Sequence, residues 1–127
     1  MDHSDMKHLI DRYLASYNAF DVDGMLSLLS RDVRFENYSG DQLTAATSGI
    51  ADFRQLAEQS RSLFSEREQR ITGLEFGHDA AIATIVYRGT LAADIPGGPS
   101  AGTVLDLQGT SEFSFENGQI TKIVDRS

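Results

Sequence analysis

The side chains able to do chemistry in this chain of 127 residues form a short set. Cysteine is absent, which removes thiol nucleophiles, Cys-ligated zinc, iron–sulfur clusters and CxxC redox chemistry. The histidines are His3, His8 and His78. His8 and Asp11 share a helix face, but two ligands fall short of the three a catalytic zinc needs, and the pair reads as a solvated face. His78 belongs to a turn, Gly77-His78-Asp79. No serine stands in a Gly-x-Ser-x-Gly context, and the histidines are badly placed for a Ser-His-Asp triad. Ile95-Pro96-Gly97-Gly98-Pro99-Ser100 is glycine-rich. It lacks the Gly-Lys-Ser/Thr ending of a phosphate loop and precedes a strand, so it reads as a hairpin loop. Carboxylates and phenols remain, and with them general acid–base chemistry and hydrogen bonding to a ligand oxygen. Tyr87 and Arg88 are strand neighbours, so one of them faces inward. The alternation of Ala81, Ala83 and Ile85 against Ile82, Thr84 and Val86 does not choose between them. An inward arginine would suit a carboxylate or polarised oxygen; an arginine on the outer face is the favoured reading.

These groups must be positioned by one domain, 1–127. A chain of this length buries roughly two-thirds of its unfolded surface. Its composition, 40% hydrophobic and 24% charged, is that of a globular protein. The net charge of −8 repels nucleic-acid phosphate and anionic lipid, so neither is an expected partner. No apolar run approaches the ~20 residues of a membrane helix. Met1 to Phe20 is too polar for a secretory signal, which makes the cytoplasm the expected location.

Helices lead. Met6, Leu9, Ile10, Tyr13, Leu14 and Tyr17 form an amphipathic stripe over 4–19, with Ser4 as the expected N-cap. Asp21 is placed to cap a short second helix over 22–29. Val33, Phe35 and Asn37 alternate as in a strand, and the small, polar residues 39–48 read as a loop. A third helix is expected from Ile50 to Phe64, with Asp52 in its first turn. Glu66 to Arg70 reads as a solvated helix end or strand start. Strands are expected over 71–76, 80–93, 103–115 and 120–125, with Asn117-Gly118 supplying the positive φ of a hairpin turn. Helices followed by a meander indicate an α+β fold.

Four segments in this order resemble the nuclear transport factor 2-like proteins. They are most similar to the SnoaL-like polyketide cyclases and the ketosteroid isomerases. The segments are Arg12 to Gly24, Asp32 to Asn37, Gly49 to Phe53 and Phe113 to Ile120. The resemblance spans nearly the whole chain. It implies a cone-shaped curved antiparallel sheet wrapped around N-terminal helices, open at one end as a largely apolar pocket.

The resemblance also implies site residues. Tyr13 stands at the position of the family's oxyanion tyrosine. Asn37 falls at the position of the general base, where an amide cannot carry a proton at neutral pH. Ser111 falls near the second acid. Leu105, Leu107, Gly109, Phe113 and Phe115 share its parity, so that side is expected to face inward and Glu112 outward. Tyr13 and Asn37 are thus the candidate catalytic pair, holding a carbonyl oxygen, with Tyr17, Phe35, Ser111 and Phe113 expected to bind ligand. With two of three family positions changed, the isomerase mechanism itself is not expected. Two readings follow. One is a cofactor-free isomerase, cyclase or lyase acting on a small, largely apolar carbonyl compound. The other is a non-catalytic ligand-binding or dimerisation domain. No cofactor and no metal is expected, and a homodimer through the polar outer face of the sheet is. A carboxylate or histidine within hydrogen-bond reach of the Tyr13 hydroxyl in the folded pocket separates the two readings.

Overall fold

The computed structural model describes residues 1–127. Helix α1, His3–Asn18, buries Met6, Leu9, Ile10, Tyr13 and Leu14 along one side, as the stripe predicts. Its N-cap is Asp2 and not Ser4: the Asp2 carboxylate accepts from the Asp5 amide at 2.8 Å. A carboxylate at this end also meets the positive pole of the helix. Helix α2, Val22–Leu26, is capped by Asp21, which accepts from the Gly24 amide. It stops short of Leu29: the Leu28 amide donates to the Met25 carbonyl in a tighter turn, the Leu28 carbonyl accepts from the Ile120 amide, and Leu29 opens strand β1, Leu29–Ser39.

Strand β2, Gln42–Ser48, occupies the stretch expected to be a loop. It is an edge strand, pairing with β1 alone, and its largely exposed side chains leave no apolar alternation to mark it. Helix α3, Ile50–Ser62, ends before Phe64, which starts strand β3, Phe64–Gly77. Thus β3 takes in the charged run from Glu66 to Arg70. Strands β4 (Ala80–Leu91), β5 (Val104–Glu116) and β6 (Gln119–Arg126) follow. No helix is long and apolar enough to cross a membrane.

The six strands form one sheet in the order β2-β1-β6-β5-β4-β3. The meander β3–β6 is antiparallel throughout, and β1 joins β6 in parallel. Register shifts at Asn37/Tyr38, Ile71/Gly73 and Ser114/Phe115 bend the strands. The curved sheet encloses the helices. Ala81, Ala83, Ile85, Phe113, Phe115, Ile120 and Ile123 form its inner face and pack on α1, α2 and Phe53 of α3. Tyr87 continues that inner row, and Arg88 lies on the exposed face, which resolves the alternation left open by the sequence.

Candidate active site

The open end of the curved sheet holds a cavity of about 380 Å³. Tyr13 and Tyr17 of α1 form one wall, and Phe53, Leu56, Ala57 and Ser60 of α3 another. Phe35, Asn37, Ile85, Leu105, Leu107 and Ser111 come from the sheet. Tyr13, Asn37, Tyr17, Phe35 and Ser111 therefore all reach it. Phe113 does not: it is 1% exposed, lies in the core and packs edge-on against the Tyr13 ring at 6.0 Å.

The sequence reading missed the carboxyl group in the cavity wall, Asp125 of β6. β6 lies between β1 and β5. The register sets Asp125 beside Asn37 on one side and Ser111 on the other. Side chains at paired positions stand about 4.5–5.5 Å apart, so the two positions without a carboxylate flank one that has it. The Ser111 hydroxyl donates to the Asp125 carboxylate at 2.6 Å. Burial raises the Asp125 pKa from 3.8 to about 6, and the Ser111 hydrogen bond pulls in the opposite direction. Desolvation dominates because the surrounding wall is mostly apolar and holds no cation against the carboxylate. Alternation along β6 does not single Asp125 out, because Ile123 of its own parity and Ile120 and Val124 of the other are all buried.

Tyr13 is buried, and its hydroxyl is held protonated. Desolvation raises its pKa well above the ordinary phenol value, and the nearby Asp125 charge raises it further. Tyr13 is thus a donor and not a base. The Asn37 amide donates to the Thr44 hydroxyl at 2.7 Å, a cross-strand bond to β2. The Thr44 hydroxyl in turn donates to the Asn37 backbone carbonyl oxygen. Asn37 is therefore tied to the sheet edge while it lines the cavity.

Chemically, the arrangement pairs a carboxylate poised near neutrality with a phenol donor in an apolar cleft. Such a set can remove a proton from carbon and stabilise the oxygen anion that results.

A SnoaL-like domain model matches residues 10–123. Among solved structures, the chain is similar to a candidate polyketide cyclase from Xanthomonas campestris pv. campestris, with TM-score 0.84, 23% identity, 98% of this chain and 90% of that one covered. A candidate polyketide cyclase from Silicibacter sp. TM1040 gives TM-score 0.74 at 26% identity, covering 94% of this chain and 86% of that one. A ketosteroid isomerase-like fold from Catenulispora acidiphila, solved with trimethylamine, gives TM-score 0.75 at 15% identity, covering 92% and 82%. No curated protein matches the chain.

Proposed function

The chain belongs to the SnoaL-like family, and we propose that it is a cofactor-free enzyme that moves a proton next to the carbonyl of a small, largely apolar molecule. The observation that carries this reading is Asp125: a carboxyl group in an apolar cavity, hydrogen-bonded by Ser111, with its pKa at about 6. At neutral pH most of it is ionised and able to accept a proton, yet it remains a good enough acid to return one.

In this mechanism the Asp125 carboxylate takes a proton from the carbon beside the carbonyl. The C–H electron pair becomes the new C=C bond, and the carbonyl π pair moves to oxygen as an enolate. Tyr13 donates a hydrogen bond to that oxygen. Protonated Asp125 then either swaps its proton with solvent and returns the solvent-derived one to the same carbon, giving exchange, or delivers its proton to a conjugated carbon, giving isomerisation. In the cyclase outcome the enolate carbon attacks a second carbonyl of the same ligand, whose π pair moves to its oxygen and takes the proton from Asp125. Ser111 holds the reacting carboxylate through its hydrogen bond, while Asn37 beside it is tied to Thr44.

The test is hydrogen–deuterium exchange at the α-carbon of bicyclic ketones such as 2-tetralone, followed by NMR in D2O. The expected result is exchange faster than buffer, reduced about 10²-fold or more by Asp125→Asn. Equal rates with protein and with buffer would sink the enzyme reading. Saturable binding without exchange would leave the non-catalytic binding domain, which the replacement of the family's base by Asn37 favours.

A further inference from the structure

The cavity has a second polar locus, away from Asp125. Tyr17 lies one helical turn beyond Tyr13 on α1, and Tyr87 lies on the inner face of β4. Their hydroxyls are 3.2 Å apart, Tyr17 donating to Tyr87. A phenol carries a single hydrogen. The pair carries two hydrogens and their contact uses one, so one is left for a third group, and both tyrosines line the cavity. Burial raises the Tyr87 pKa far above the usual phenol value, which keeps that hydrogen in place.

Behind the pair stands Arg67, 6% exposed. Its Nε donates to the Tyr17 carbonyl oxygen at 3.0 Å, and its guanidinium carbon lies 3.7 Å from the Tyr17 ring centroid. Its Nη1 is buried without a partner. Arg67 forms no ion pair with any carboxylate. A buried guanidinium without a counter-charge is costly, and it gives this end of the cavity a positive field where the Asp125 end has a negative one. The backbone makes room for the arrangement. A Cβ at Gly89 would meet the Tyr87 hydroxyl at 3.0 Å and the Phe64 ring at 2.9 Å.

We infer that Tyr87, held by Tyr17 and backed by the Arg67 cation, is an oxygen-binding locus that donates a hydrogen bond to an electron-rich enol or phenol oxygen of the ligand. This rests on the cavity being the ligand site and extends it by naming what the ligand carries at its other end. Tyr87 lies four residues along β4 from Ala83, and Ala83 pairs with Ser111, which pairs with Asp125. That separates the two backbones by about 13 Å along the strands and about 10 Å across them. Side chains reach in from both ends, so the fitting ligand is a rigid frame of two or more fused rings with oxygen functions at opposite ends.

The test compares 2-naphthol with 2-methylnaphthalene, similar in shape but lacking the hydroxyl, by titration at neutral pH. The wild type should prefer the naphthol. Tyr87→Phe should weaken naphthol about five- to tenfold, the worth of one hydrogen bond, and leave methylnaphthalene unchanged. Tyr17→Phe and Arg67→Met should each weaken naphthol about threefold, with Arg67→Lys recovering part of the loss. These three variants read the positioning roles, since a purely structural loss would weaken both probes alike. If Tyr87→Phe lowers both probes equally, or neither, the locus is wrong. If Asp125→Asn erases the preference while Tyr87→Phe leaves it intact, the oxygen sits at Asp125, which overturns the tyrosine locus and spares the proton-transfer reading. The expected tyrosine pattern without ketone exchange keeps the locus and removes the proton transfer instead. Failure of the wild type to bind either probe overturns both.

Discussion

At the scale of single residues, the site turns on the balance between desolvation and one hydrogen bond. The cavity wall pushes the Asp125 carboxyl toward its neutral form, while the Ser111 hydroxyl, 2.6 Å away, favours the charged form. Removing the hydroxyl leaves desolvation unopposed, so Ser111→Ala should raise the pKa of Asp125. A hydrogen bond to a charged group is worth about 1.5–3 kcal/mol, or roughly one to two pH units. The acidic limb of the pH–rate profile is set by ionisation of Asp125 and should move to higher pH by about one unit. A pH–rate profile on 2-tetralone reads this directly. An unmoved midpoint would mean that Ser111 does not tune the carboxylate. Asn37 contributes differently, because its amide is engaged with Thr44. Asn37→Ala should therefore alter binding more than the midpoint.

At the scale of elements, the site depends on how β5 and β6 approach each other. Gly109 of β5 faces the end of β6 so closely that a Cβ would run into the Arg126 carbonyl oxygen. Backbone there cannot yield without moving its neighbour, and that neighbour follows Asp125. Gly109→Ala should destabilise the protein by about 1–3 kcal/mol and slow exchange more than a distant substitution of equal stability cost. Denaturant unfolding paired with the exchange rate checks both parts.

The same elements show what could be read in the chain beforehand. The α1 stripe from Met6 to Tyr17 carried its own face assignment, because helical periodicity and burial agree there. β2 was not legible: an exposed edge strand has no apolar face to alternate. The start of β3 was hidden because one of its inward residues is Arg67, which reads as surface in any sequence pattern. Asp125 was overlooked for another reason. Positions along the chain gave Asn37 and Ser111, while the register across three strands is what brings the carboxylate between them. A register is a property of pairing, and the irregularity between Ser114 and Phe115 displaces it from simple counting.

At the scale of the whole molecule, a chain of net charge −8 places one carboxyl group, Asp125, in the wall of its cavity. Its pKa is 3.8 when solvated and about 6 in the fold. The folded state then holds the proton more tightly than the unfolded state, so stability falls as pH rises. Below about pH 4 both states are protonated and the group has no effect. Between pH 4 and 6 the unfolded chain ionises first and the penalty grows. Above pH 6 it is complete, at up to about 3 kcal/mol. Asp125→Asn removes the charge, keeps the shape and can still accept from Ser111. It should raise the melting temperature at pH 7.5 by about 5 °C, and the gain should vanish by pH 3.5. Taking the difference between variant and wild type cancels the remaining acids. A variant less stable than the wild type at pH 7.5 would show that the ionised carboxylate is stabilised in the fold, contrary to the desolvation assigned to it. The expected gain, coupled to loss of exchange, would identify Asp125 as a group the fold carries at a cost to its stability, as acid–base sites in apolar cavities do.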